Sequence, residues 1–329
     1  MRAIVIKRYG GPEVLAIEQR PDPVPAADQV LIEVKAFGLN HAEVYFRSGA
    51  WGEVAEITGI ECVGLVRDDP GNRFGRGSKV VAIVGGLGRN LNGSHAELVA
   101  VPRSNVAAIN SDLPWDTLAA IPESYATAWT SLIGILHLSA GQTVLVRGAT
   151  SALGQAAVNI AVNLRARVIA TTRKAERASL LRELGAHEVL IETPNLAKRV
   201  RESHVDGIDA AIDIVGNSTV LDSLAALRRG GSLCEVGFLG GGGPLTFEPV
   251  FQIPSGRYLT SFASAVVTGS AEFPLSEIPF QEIVDRVAAG DYKAKPARVF
   301  KFDQIQEAHR IMESGHQLGK MVVVIDGRG

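Results

Sequence analysis

The chain has 329 residues, 46% hydrophobic and 21% charged, with 35 glycines and a formal net charge of −2 at pH 7. That composition suits a two-domain α/β protein and excludes a collagenous, low-complexity or disordered chain. A nearly balanced charge leaves no footprint for nucleic acid or an anionic membrane surface, and no apolar run is long enough to span a bilayer, so neither nucleic acid nor membrane is an expected partner.

The first apolar run, Ala3 to Lys7, is too short for a signal peptide and reads as a strand. Short alternating or apolar runs follow at Gln29–Gly38, Cys62–Arg67, Lys79–Val84 and Ala96–Val101, broken by turn clusters such as Pro21 to Pro25 and Asp68 to Gly71. This spacing predicts a β-rich domain up to about residue 115, with no long amphipathic helix in it. After Trp115 the period changes. Helix-compatible runs at Leu118–Ile121 and Ala126–Leu136 lead into an alternation: strands at 143–147, 167–171, 187–191, 208–214 and 231–236, and helices at 153–164, 174–184, 195–202 and 217–228. Such alternation implies right-handed βαβ crossovers and a doubly wound parallel sheet. The glycine run Gly240 to Gly243 breaks it, as a mobile ligand loop or a plain connector. An apolar run (Tyr258–Val267), two helices (Phe280–Ala289, Gln304–Ser314) and a last strand (Lys320–Ile325) close the chain, and the last strand is expected to pair with the first domain. Cys62 and Cys234 lie in apolar strand-like runs; a disulfide between them is left open, but two cysteines make no disulfide scaffold, and a reduced, cytoplasmic protein is expected.

The most informative stretch is Thr143-Val-Leu-Val-Arg-Gly-Ala-Thr-Ser-Ala-Leu-Gly154. A strand runs into a turn of small residues and then into a helix, the arrangement that seats a dinucleotide's pyrophosphate on a helix N-terminus. Ala149 and Ser151 stand where G-x-G-x-x-G needs glycine, so the strict fingerprint fails. Its mechanics survive: Gly148 can turn sharply, residues 149 to 152 are small, and Gly154 lets helix lie close to strand. An ordinary βα turn is the alternative; a P-loop is excluded because no Gly-Lys-Ser/Thr follows. Where NAD binders carry an acidic residue for the ribose 2′-hydroxyl, this chain has Thr172 followed by Arg173, Lys174 and Arg177, which predicts NADPH through charge-assisted bonds to a 2′-phosphate. Solvated cations beside Glu176 are the competing reading.

Across nearly its whole length the chain resembles the zinc-independent quinone oxidoreductases of the medium-chain dehydrogenase/reductase superfamily. The likeness rests on Ala36-Phe-Gly-Leu-Asn40 with Glu43, Tyr45, Arg47 and Gly49; Gly59-Ile-Glu-Cys-Val-Gly64; Ala119-Ala-Ile-Pro122 with Thr127-Ala-Trp129; the turn from Gly148 to Gly154; Asp206-Gly-Ile-Asp209 with Asp213-Ile-Val-Gly216; Gly230-Gly-Ser with Val236-Gly-Phe-Leu-Gly240; and Gly319-Lys-Met-Val-Val. It implies a GroES-like catalytic domain (residues 1–117 and 265–329), a Rossmann domain (118–264), an active cleft between them, and a homodimer in which Tyr258–Val267 extends the nucleotide sheet.

Zinc-dependent members of the superfamily carry Cys where this chain has Asn40 and His where it has Ile60. Neither completes a catalytic zinc site, and the four-cysteine structural loop is replaced by Gly85–Ser94, so no zinc is expected. Histidines 41, 95, 137, 187, 204, 309 and 316 show no ligand spacing and read as ordinary surface or core residues. Without a Lewis acid, acceptors that are already electrophilic remain: quinones, enones and enals. The resemblance implies an NADPH-dependent quinone reductase in which Asn40 and Tyr45 hydrogen-bond the acceptor oxygen, Tyr45 being the more plausible proton donor and water the other; a core tyrosine bonded to backbone is the alternative. It also implies that Thr127 lies by the nicotinamide amide, that Gly148, Ala149, Thr150, Ser151, Ala152, Leu153 and Gly154 cradle the pyrophosphate, and that Val215, Gly216, Gly237, Phe238 and Leu239 line the ribose and nicotinamide, with Lys320 at the rim. Members often carry Asp at the position of Glu43 and Tyr at that of Trp51, so Trp51 and Tyr125 are expected to shape the acceptor pocket. A 2-alkenal or enoyl thioester reductase, and a non-catalytic NADPH-binding structural or sensor protein, are the competing functions.

Overall fold

The computed structural model describes residues 1–241, 243–315 and 318–326; Gly242 of the glycine run and His316 lie outside them. By internal packing the chain divides into two units, one of residues 1–126, 264–290 and 294–329, the other of residues 127–263 and 291–293.

The first unit begins with the antiparallel pair β1 (Arg2–Ile6) and β2 (Leu15–Gln19). Strands β3 (Gln29–Gly38), β4 (Glu61–Asp68), β5 (Lys79–Ile83), β6 (Leu98–Pro102) and β7 (Val106–Ala108) build its main sheet. In β3 alternate residues are buried from Val30 to Ala36, the period-two pattern of a sheet with one face on the core. That core gathers Ile32, Phe37, Val80, Val99, Phe302 and Val323.

The second unit carries six parallel strands, β8 (Thr143–Arg147), β9 (Arg167–Thr172), β10 (Glu188–Ile191), β11 (Ile208–Asp213), β12 (Leu227–Glu235) and β13 (Tyr258–Ser261), in the order β10-β9-β8-β11-β12-β13. The order reverses between β8 and β11. In doubly wound sheets ligands bind at the carboxyl ends of the strands flanking that reversal. β8 and β11 are buried over nearly their whole length, as a sheet covered on both faces requires.

Two late strands, β14 (Arg298–Lys301) and β15 (Met321–Val324), return to the first unit's sheet, where β15 runs antiparallel to β3 with Val322 opposite Gly38.

Within the β-rich region lies a short α-helix, His41–Ser48. Three expectations need correction. The run Ala126–Leu136 is α-helical only to Trp129 (Pro122–Trp129) and continues as a π-helix over Thr130–Ile135. Helix 217–228 is confined to Val220–Ala226, because β12 begins at Leu227 and is bulged, its register with β11 jumping from Leu227 to Ser232 around Gly230 and Gly231. The run Tyr258–Val267 is not one element: it divides into β13 and a helical turn, Ser264–Val267. Among the described residues no helix is long and apolar enough to cross a membrane.

Candidate active site and cofactor site

The helix His41–Ser48 exists because its two ends are specified. Asn40 precedes it in an extended conformation, the Glu43 carboxylate reaches back to accept from the Asn40 N–H, and Gly49 (φ +79°) closes it in the left-handed conformation. Glu43 therefore fixes the place of Asn40, while its other oxygen accepts from the Ile60 N–H at 3.2 Å.

The Asn40 carboxamide is thereby free to face inward. Its Nδ2 donates to Glu61 Oε1 at 2.8 Å and its Oδ1 accepts from Lys320 Nζ at 2.6 Å, while Lys320 also forms an ion pair with Glu61. The second oxygen of Glu61 accepts from the Glu123 N–H at 2.7 Å. Glu43 and Glu61 are fully buried and Lys320 nearly so. A Cβ added to Gly38 would collide with Glu61 Oε1 and Lys320 Cε, so only glycine leaves room for this pair. Burial pushes the Glu43 carboxyl up to about 8 against the opposing pull of the Lys320 charge. Burial, with Lys320 adding to it, holds the His41 imidazole below its ordinary value.

Tyr45 and Trp51 are brought together, their rings stacked with centroids 5.2 Å apart, and Phe46 meets Trp51 edge-on at 5.5 Å. Burial raises the Tyr45 phenol above its usual range. Tyr125 and Thr127 both lie in the helix Pro122–Trp129 and are buried.

In the second unit Gly148 ends β8 with φ +82°, and Ser151 caps the helix Ala152–Asn163, its Oγ accepting from the Gly154 N–H at 3.0 Å. Ser151, anomalous as a fingerprint residue, is thus a conventional N-cap with a negative φ that needs no glycine. A Cβ on Gly154 would stand 2.6 Å from Ala149 Cα, so glycine is required where helix meets turn. The N–H groups of Ala152 and Leu153 have no acceptor among the described residues, while Thr150 to Leu153 are only partly buried. Such unpaired amides at the start of a twelve-residue helix fit a pyrophosphate.

Beyond β9 the chain forms a hydroxyl-anchored turn, Thr172 Oγ1 accepting from the Lys174 N–H at 3.2 Å, and then a single 3₁₀ turn, Ala175–Arg177. The helix expected at 174–184 covers only Ala178–Glu183, so Arg173 and Lys174 stand before it, exposed, with Lys174 4.0 Å from Glu176. Arg173 has no ion partner among the described residues. At the end of β11, Asp213 Oδ1 accepts from the N–H groups of Val215 and Gly216 at 2.9 and 3.1 Å and shapes the turn. Gly216 (φ +101°) lies against Gly237 and Phe238, where a Cβ would come within 2.7 Å of Phe238 Cα. The Leu239 N–H returns to the Ile214 carbonyl at 3.0 Å, leaving its side chain exposed.

Sequence reading quoted Glu61 and Asp213 within motifs without giving either a contact, and it did not foresee the link from Lys320 to Asn40. Asn40-x-x-Glu43 followed by Gly49 was a legible capping signal for the helix; nothing local announces that residue 320 meets residue 40.

Residues 26–111 match the alcohol dehydrogenase GroES-like domain family and residues 152–280 the zinc-binding dehydrogenase family. The chain belongs to the medium-chain dehydrogenase/reductase superfamily, whose two domains it carries in order, and it is similar to that superfamily's quinone oxidoreductases. It is 28% identical over 338 residues to a quinone oxidoreductase of Pongo abelii, covering 99% of this chain and 98% of that one. Among solved structures it resembles the mycobacterial protein Rv1454c, solved in complex with NADPH (29% identity, TM-score 0.86, covering 98% of this chain and 99% of that one). It also resembles an NAD-dependent alcohol dehydrogenase (28% identity, TM-score 0.83, covering 99% of this chain and all of the other). A family of oxidoreductases on this mixed α/β architecture accounts for both units.

Proposed function

We propose that this protein is an NADPH-dependent reductase of quinones or related conjugated carbonyl compounds, working without zinc. The observation that carries the reading is the Asn40 cluster: at the position of a superfamily zinc ligand stands a carboxamide whose oxygen is already committed to an ammonium. An amide and Ile60 are poor donors for a catalytic zinc, which takes three strong protein ligands and an open position.

When bound, the nicotinamide cofactor supplies the hydride. The chain's own part is to hold it and to order the acceptor. The amides of Ala152 and Leu153 take the pyrophosphate, and Gly148, Ala149 and Gly154 let it approach. Arg173 and Lys174, with Arg177, take the 2′-phosphate. Thr127, Val215, Gly216, Gly237, Phe238 and Leu239 bound the ribose and nicotinamide. Asn40 and Tyr45 orient the acceptor oxygen, and Trp51, stacked on Tyr45, with Tyr125 limits acceptor size. A homodimer joined along the exposed edge of β13, where Tyr258 is 62% exposed, completes the proposal.

The test is NADPH oxidation over benzoquinones, naphthoquinones and conjugated enals, with NADH in parallel and products weighed by mass spectrometry. Turnover of quinones supports the reading. Saturation of alkenes alone assigns a 2-alkenal or enoyl reductase instead, and tight NADPH binding without turnover of any acceptor leaves a non-catalytic binding protein.

A further inference from the structure

Lys320 immediately precedes β15, is 5% exposed, and comes to Asn40 across 280 residues of sequence. Burying an ammonium is expensive, and a buried ion pair often contributes less to stability than apolar side chains of the same volume. Packing alone therefore gives little reason for a lysine here, yet the fold keeps a glycine at position 38 to admit it.

The hydrogen bonds show what the ammonium has left over. It carries three N–H donors. Among the described residues two are used, one on Asn40 Oδ1 and one on Glu61. Glu61 is itself held from both sides, by Asn40 Nδ2 on Oε1 and by the Glu123 N–H on Oε2, so it cannot swing away with the ammonium. The other ionisable groups acting on this cluster are Glu43 and His41, both tied to the start of the same helix. The result is a fixed cation with one unused donor beside Asn40.

We propose that Lys320 is the electrophilic group of the site: its third N–H bonds the acceptor's carbonyl or quinone oxygen and passes over as a proton when negative charge develops there. This rests on the reductase reading above. The acceptor gains a hydride at its electrophilic carbon, the conjugated π pair moves to oxygen, and that oxygen takes one proton from the Lys320 ammonium. The neutral amine recovers a proton from water. One hydride and one proton are consumed per turnover; a quinone gives the keto tautomer of its hydroquinone, which aromatises by losing a proton from the attacked carbon and gaining one on the second oxygen, and an enone or enal gives an enol that becomes the saturated carbonyl. Asn40 and Glu61 are positioning residues that aim the ammonium, and no metal is required for the charge they hold.

The experiment uses Lys320→Met, Lys320→Arg and the charge-neutral double variant Lys320→Met/Glu61→Gln, the last because an unpaired Glu61 could by itself unfold the protein. With the best acceptor, Lys320→Met and the double variant should lose roughly 100- to 1000-fold in kcat/KM, the cost of one oxyanion donor, and Lys320→Arg should retain part of it. NADPH affinity, read by fluorescence titration, should stay within about threefold. The second readout needs no turnover. 4-Nitrophenol added to the NADP⁺-saturated wild type should bind as its yellow phenolate below its solution pKa, and the variants lacking Lys320 should leave it colourless.

Lys320→Met activity within threefold of wild type, or an unchanged bound colour, overturns the proposal. Weakened NADPH binding that accounts for the whole kinetic loss overturns it too, placing Lys320 on the cofactor. A wild type that reduces none of the acceptors defeats the reductase reading, while the dye titration still decides on Lys320.

Discussion

His309 is fully buried, and neither of its ring nitrogens has a hydrogen-bond partner among the described residues; it packs edge-on to His95, also fully buried, with centroids 6.5 Å apart. Burial, reinforced by the Arg47 charge, pushes His309 down to about 3, and burial with His309 beside it holds His95 well below its ordinary value. A group whose folded pKa is depressed contributes stability that is present above its unfolded value and is lost as pH falls through the folded one. The protein should therefore lose stability between pH 6.5 and about 3. His309→Phe should soften that acid limb by several degrees in the melting temperature, and an acid limb as steep as wild type would remove His309 from the account. Glu43 acts in the opposite sense. Its carboxyl is raised from 4.5 to about 8, so its contribution is complete below pH 4.5 and is lost as pH rises through 8. Glu43→Gln should flatten the melting profile over that window. At the proposed cofactor site the exposed cations lead to a kinetic expectation: the double substitution Arg173→Ala/Lys174→Ala should raise the KM for NADPH about 10- to 100-fold and leave that for NADH nearly unchanged. Equal losses with both cofactors would remove these residues from 2′-phosphate recognition.

Among the elements, the helix Ala152–Asn163 shows how a broken motif keeps its mechanics. Because Ser151 is its N-cap, Ser151→Ala should cost about 1 kcal/mol in denaturant-induced unfolding, whereas Ser151→Gly should cost only a few tenths. Equal costs for the two would show that the hydroxyl is not what holds the cap. The same comparison explains what could be read in advance. The alternation of strands and helices from β8 to β12 was legible because both faces of that sheet are covered, so β8, β9 and β11 each carry a short central run of apolar residues rather than an alternating pattern. The helix His41–Ser48 was legible only in its caps, because eight residues are too few to show an amphipathic period. The end of the helix Val220–Ala226 was misplaced because Leu227-Arg-Arg continues a helical pattern while its backbone already pairs with β11. Asn40 could be picked out from its motif. Glu61 was quoted in its motif, but its partners Asn40 and the Glu123 N–H are distant in sequence and nothing local announces them.

For the whole molecule, the absence of thiolate and imidazole ligands at positions 40 and 60 makes a direct expectation: exhaustive dialysis against a chelator should leave acceptor turnover within about twofold, and loss restored by zinc would refute the zinc-free reading. The last strand carries a further consequence, which concerns synthesis. One edge of β3 is covered by β6 over Gln29–Glu33 and by β15 over Ala36–Gly38. On the ribosome, β3 emerges nearly three hundred residues before β15. At roughly 5 to 20 residues per second, that end of β3 waits on the order of a quarter of a minute to a minute for its neighbour. The parallel-sheet unit, contiguous apart from residues 291–293, can be complete meanwhile. Asn40 and Lys320 can meet only once residue 320 has emerged, so a chain stalled before that point carries an intact parallel-sheet unit and an open strand edge at β3.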